Sequence, residues 1–300
     1  MKSNGAVFAS HAFGAVLRSQ RAPFHSTVDL VTIQASVRDR RGRAIQGLAP
    51  ADFEVRDNGE LRPLISVRAD VRSPVSLAVV VDTSGSMRME PKIALARRVL
   101  DALLAQLRIG EDEVGLFTFD SSLHEHEAFS TDLAKFSHAL SDLAPFGTTS
   151  LYDATAAVAR KLAARSAMRK AVIVITDGMD TSSTLTASEV SGLASSIDVP
   201  VFVVAAVPML DQRVMMEAAR RSLRSDAADL RDLADWTGGR LVFASTFVDS
   251  AAVAGRLVDE LRQQYVLAIE ATGSREWRRL DVRITHPAAT VKARSGYFGG

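Results

Sequence analysis

The sequence predicts an α/β protein, a doubly wound and mainly parallel sheet covered by helices, with a small β module built from both chain ends. Three observations predict it. Apolar runs recur from Ser76 to about Arg262: LAVVV (77–81), VGLFTF (114–119), AVIVIT (171–176), VPVFVVAAV (199–207) and RLVFA (240–244). Between them lie stretches of helical period, such as PKIALARRVLDALLAQL, where Ile93, Ala96, Leu100, Leu103, Leu104 and Leu107 keep one apolar face. Outside that region the texture is alternating, with VDLVTIQASV and DFEVRDNGE ahead and YVLAIEA, RRLDVRITH and TVKARSGYF behind. Continuous Val/Ile runs require cover on both faces, which helices above and below a parallel sheet provide, whereas alternation marks strands with one buried face.

Taken in order, residues 1–26 read as a leader or disordered tail. AVFASHAFGAVL (6–17) after Lys2 has the outline of an export signal, interrupted by His11 and lacking a good small-residue cleavage site. The expectation is an extracytoplasmic protein, secreted or periplasmic, with a cytoplasmic one as the alternative. Residues 27–72 form an N-terminal β segment in which Asn58-Gly59 signals a tight turn. Residues 75–262 are the α/β domain, whose last helix is expected at about Ser250 to Gln264. Residues 265–298 are C-terminal strands expected to pack with the N-terminal segment, because either set alone has too little apolar face to be stable. Val28, Leu30 and Val31 are expected to meet Val266, Leu267 and Ile269.

Composition excludes several function classes. With 36 basic and 35 acidic residues the net charge is +1, which supplies no electrostatic reason for a nucleic-acid partner. No apolar run approaches the roughly 18–20 residues of a membrane span. Cysteine is absent, so there is no disulfide framework, thiolate catalyst or Cys-ligated zinc.

In LAVVVDTSGSM (77–87) a buried strand ends in Asp82, followed by Ser84 and Ser86 around Gly85. Cap chemistry would explain one such residue, but two further loops carry matching groups. FGTTSLYDATAAV offers Thr148, Thr149 and Asp153 at a loop-to-helix junction, and VIVITDG ends a later strand in Asp177. In a doubly wound sheet the carboxyl ends of the strands form the binding crevice. Oxygen-only donors there suit a hard divalent cation, Mg2+ or Mn2+.

These residues, Asp82-Thr83-Ser84-Gly85-Ser86, then Thr149, then Thr176-Asp177-Gly178, resemble the metal-ion-dependent adhesion site of von Willebrand factor type A domains, which are Rossmann-like. The flanking text resembles a bacterial subfamily over roughly residues 28–298, in VDLVTIQASVRDRRGRAIQGLAPADFEV, TSLYDA, LADWTGGRLVF, ELRQQYVLAIE and VKARSGYF. The resemblance implies that Ser84, Ser86 and Thr149 contact the metal, with Asp82 and Asp177 binding it directly or through water. Thr148 stands where a glycine is common. It further implies a protein partner that supplies an Asp or Glu carboxylate to the metal, in recognition rather than turnover, and a last helix that moves when the site engages its ligand.

Two other readings stand beside this binding module: an assembly factor whose metal site is vestigial, and a metal-dependent hydrolase. The hydrolase finds little support. A haloacid-dehalogenase-type phosphatase wants a second carboxylate where this chain has Ser84, and neither a G-x-S-x-G elbow nor a phosphate-binding loop occurs. His124 and His126 read as an exposed strand face without a third ligand, Trp236 as a packed helix-end residue, and 209–226 as a solvated helix or loop.

Overall fold

The computed structural model describes residues 30–89, 91–136, 139–140, 144–167, 169–178, 180–221 and 226–298. The leader expected at 1–26, and Val28, lie outside these residues. Four strands come first, β1 (Leu30–Asp39), β2 (Phe53–Asp57), β3 (Glu60–Arg62) and β4 (Leu64–Asp70). The α/β region runs β5 (Val75–Asp82), α1 (Lys92–Leu104), β6 (Glu113–Phe119), β7 (Leu123–Ser130), α2 (Leu151–Ala163), β8 (Arg169–Thr176) and α3 (Ala187–Ser196). It continues through β9 (Val201–Ala206), α4 (Met209–Arg221), α5 (Asp226–Thr237), β10 (Leu241–Ala244) and α6 (Phe247–Arg262). The last strands are β11 (Gln264–Glu270), β12 (Trp277–Ile284), β13 (Ala289–Lys292) and β14 (Gly296–Phe298).

The central sheet has the order β10-β9-β8-β5-β6-β7, parallel except for β7, which runs antiparallel along the edge. Along β5 the side chains alternate between two cores. Leu77, Val79 and Val81 face the side covered by α1 and α6, while Ala78 and Val80 face α2, α3 and α5. The continuous apolar run is therefore required by burial on both faces. The chain leaves β5 through α1 to β6 on one side and later returns to β8 on the other, so β5 and β8 flank the topological switch point. Helix α6 begins at Phe247, before the expected Ser250, because the Thr246 hydroxyl accepts the Asp249 N–H at 3.1 Å and caps it there.

Two four-stranded sheets, β13-β1-β11-β4 and β14-β12-β2-β3, combine strands from both ends of the described chain. β11 lies between β1 and β4, antiparallel to both, with Val31 opposite Ile269 and Ile33 opposite Leu267. Val31, Ile33, Ala35 and Val37 share a core with Phe53, Val55, Tyr265, Leu267, Ile269, Leu280 and Tyr297. Leu30, by contrast, sits opposite Glu270 and is half exposed. Asn58 and Gly59 join β2 to β3 with φ of 51° and 88°, the left-handed backbone that a two-residue hairpin turn demands.

Buried ion pairs join these parts. The Arg169 guanidinium, at the start of β8, donates to both oxygens of Asp70, at the end of β4, at 3.1 and 2.5 Å. Burial alone would raise the Asp70 carboxyl, but the bonds from Arg169 and Ser73 outweigh it and hold it well below the usual range. Asp112, fully buried, accepts from the Val75 N–H (3.0 Å), the Arg108 N–H (2.8 Å) and Arg262 (2.6 Å). Burial again pushes its carboxyl up, but bonds from Arg108, Val75 and Arg262 bring it down to about 2.

Two expectations follow. A carboxyl at about 2 in the folded chain, against 3.8 ordinarily, adds stability that is complete above pH 4 and lost as pH falls toward 2. Asp112→Asn should flatten the stability profile in that window and lower stability at pH 7 by about 2 kcal/mol, read from urea midpoints across pH. Removing residues 1–72 takes away both neighbours of β11, and limited proteolysis should then cleave 265–298 while the α/β core stays protected. Persistent protection of 265–298 would mean those strands stand alone.

Candidate metal centre

Asp82 closes β5 in the middle of the sheet and is fully buried. Its Oδ1 accepts the Ser84 N–H at 2.8 Å and its Oδ2 accepts the Thr176 hydroxyl at 2.6 Å. The chain then turns along the sheet, since the Thr83 N–H and hydroxyl both donate to the Phe119 carbonyl, at 2.8 and 3.0 Å. A short 3-10 turn over Gly85–Arg88 brings the Ser84 and Ser86 hydroxyls to 3.1 Å from each other.

The loop before α2 is laced to this one through the backbone. The Phe146 N–H donates to Thr83 O at 2.8 Å, and the Gly85 N–H to Gly147 O at 3.0 Å. A Cβ on Gly85 would stand 3.3 Å from that same oxygen, so glycine permits the close approach. Thr149, two residues beyond Gly147, is buried beside this junction.

Asp177 follows β8, the neighbour of β5, and is buried as well. Its Oδ2 accepts the Lys92 ammonium at 2.8 Å, while its Oδ1 has no hydrogen-bond partner among the described residues. The loop beyond it zips onto the start of α2. The Thr149 N–H donates to the Thr181 hydroxyl at 2.9 Å, and Thr149 O accepts the N–H groups of Thr181 and Ser182 at 2.9 and 3.0 Å. Asp180 takes the Leu151 N–H at 2.8 Å, and the Ser183 hydroxyl takes those of Tyr152 and Asp153 at 3.0 and 3.2 Å. These bonds satisfy the free amides of the first turn of α2, whose N-cap, Ser150, makes no side-chain cap bond. Asp153 answers in the other direction, accepting the N–H groups of Thr184 and Leu185 at 2.9 Å each. Asp153 thus holds loops together, and Thr148 receives the Ser182 hydroxyl at 3.0 Å.

The electrostatics are those of a centre short of positive charge. Burial pushes the Asp82 carboxyl up to about 6, helped by the charge of Asp177 and opposed by the bonds from Thr176 and Ser84. Of the two buried carboxylates one, Asp177, takes the Lys92 ammonium on one oxygen, and its other oxygen has no partner among the described residues. The donors at the three loops are all oxygen. The 3.1 Å between the serine hydroxyls is close to the roughly 2.9 Å cis edge of an octahedron with 2.0–2.1 Å bonds. The residues therefore fit a hard divalent cation. Among the described residues no cluster of three His, Cys, Asp or Glu offers a metal site, and His124 and His126 lie exposed on β7.

Sequence reasoning missed Lys92, Thr176 as the partner of Asp82, and the polar run Asp180–Ser183. Their signals were a lysine at the very start of the helix that follows the serines, and a string of short hydroxyl residues after the second aspartate.

Comparison with known proteins bears on the fold of the wound sheet. The family profile described as von Willebrand factor type A domain matches residues 77–179. An aerotolerance-related membrane protein from Bacteroides fragilis NCTC 9343, carrying multiple mutations to serine, is similar in fold at 19% identity and a TM-score of 0.50. That likeness covers 62% of this chain and 98% of the other. BatB from Bacteroides thetaiotaomicron gives 17% identity, the same two coverages and a TM-score of 0.48. The vWF domain of the type V pili tip protein Mfa5 from Porphyromonas gingivalis gives 24% identity over 37% of this chain and 40% of that one, with a TM-score of 0.33. No curated protein matches the chain. The von Willebrand factor type A profile thus lies across β5 to Asp177, the stretch of the wound sheet that carries all three loops of the site.

Proposed function

We propose that the chain binds a protein partner through a divalent cation, Mg2+ or Mn2+, held by Asp82, Ser84, Ser86, Thr149 and Asp177. The observation that carries the reading is the meeting of three laced loops at the switch point, with a buried Asp177 oxygen that has no partner among the described residues. Two carboxylates balance the charge of a divalent ion, and neutral hydroxyls add none, so the bound ion retains affinity for an outside carboxylate. An Asp or Glu of the partner supplies it.

The reading is recognition without turnover. The Ser84 hydroxyl is hydrogen-bonded to Ser86, and among the described residues no base is hydrogen-bonded to it, which is not the setting of an activated nucleophile. We place the protein outside the cytoplasm, on the strength of the apolar stretch at 6–17; no helix among the described residues is long and apolar enough to cross a membrane. The competing reading, an assembly factor that uses the β module and not the metal, predicts binding indifferent to chelator.

Mg2+ or Mn2+ at about a hundredfold over its dissociation constant should stabilise the native state by about 2.7 kcal/mol, seen as a raised melting temperature. Asp82→Ala should abolish that increment while the chain still folds. An identical response of both proteins to metal and chelator would sink the metal site. Affinity capture from the native host should retain a partner with Mg2+ and lose it with chelator. Amide exchange in α6 should change once that partner is bound, since α6 spans the distance from the wound sheet to β11.

A further inference from the structure

Lys92 is the residue that a cation-binding centre has least reason to contain. Its ammonium lies 2.8 Å from Asp177 Oδ2, and the two side chains are only 12% and 3% exposed. Lys92 is also the first residue of α1, whose first turn holds no acidic residue. A cation is disfavoured there by the helix dipole, so the dipole does not explain it. Asp177 does: it is the group at hand that repays burying an ammonium, and Lys92 is its ion-pair partner.

We propose that Lys92 is a tethered counter-ion of the metal centre, one that weakens the hold on the divalent cation and strengthens the draw of the loaded centre on an anionic ligand. The proposal rests on the metal-binding reading above. Charge counting carries it. Before metal binds, Asp82 and Asp177 repel one another in a buried place, and Lys92 relieves that repulsion. The incoming ion must compete with a positive charge already installed. Once a divalent ion is present, two carboxylates cancel it and Lys92 leaves an excess of one positive charge, which a partner's carboxylate neutralises. Without Lys92 the loaded centre is neutral, and its attraction for a carboxylate falls.

The test uses the full chain and its Lys92→Met and Lys92→Arg variants. Mn2+ affinity is read by calorimetry, and acetate serves as the carboxylate probe, followed by water-proton relaxation of the Mn2+-loaded protein. Lys92→Met should bind Mn2+ about tenfold more tightly or better, and acetate several-fold more weakly. Lys92→Arg, which keeps the charge, should move both quantities much less. A lysine that merely props the loop would not shift the two affinities in opposite directions. Equal or weaker Mn2+ binding by Lys92→Met, with wild type binding normally, overturns the proposal and leaves the metal reading intact. Absence of Mn2+ binding in wild type and variant alike overturns both. Should Lys92→Met fail to fold by circular dichroism, Lys92→Gln carries the same comparison.

Discussion

β5 is hydrogen-bonded to neighbours on both edges and covered by side chains on both faces, and its last residue is a carboxylate. A charged group so placed cannot be hydrated, and the rest of the site is arranged around supplying what water would have supplied. Ser84 and Thr176 occupy the two oxygens of Asp82. Thr176 can do so only because β8 lies alongside β5, which is a matter of strand order. The same adjacency brings a second carboxylate, Asp177, close enough to raise the first. Polar satisfaction of one strand end thus dictates much of the loop structure around it.

The loops are held by their backbones more than by their side chains. Gly85 to Gly147, Phe146 to Thr83, and the reciprocal bonds between Thr149 and Thr181–Ser182 form a frame in which the hydroxyls are carried. Such a frame costs little on ligand binding because its conformational freedom is already spent. The short polar residues that build it, Asp180, Ser183 and Asp153, cap the start of α2 and its facing loop, so the frame and the helix stabilise each other.

α6 connects this domain to the end sheets through charge as well as chain. Its last turn delivers Arg262 to Asp112, under the start of β5. Two residues earlier, the buried Glu260 lies between Arg240, before β10, and Arg38, in β1, at 3.1 and 3.8 Å. A shift of α6 therefore alters pairs on both sides of the junction. Arg169 with Asp70 adds a second tie, from the start of β8 to the end of β4. Desolvated pairs of this kind are poor sources of net stability but penalise any arrangement that separates them.

The sequence by itself determined the strand and helix texture, and with it the wound sheet. Burial on two faces writes a continuous Val/Ile run, and burial on one face writes alternation, so LAVVV and AVIVIT are legible without coordinates. It also determined which residue types stand at the strand ends, because a carboxylate closing an apolar run is conspicuous. Tertiary structure alone decided which strands became neighbours, that β11 sits between β1 and β4, and that β7 turns back along the edge. It alone paired Lys92 with Asp177 and joined the polar run Asp180–Ser183 to the start of α2. The physical reason is range. Periodicity reports the environment of each residue from its neighbours in the chain, whereas ion pairs and loop-to-loop hydrogen bonds depend on approach between segments dozens of residues apart, where any lysine and any hydroxyl read alike until the fold chooses among them.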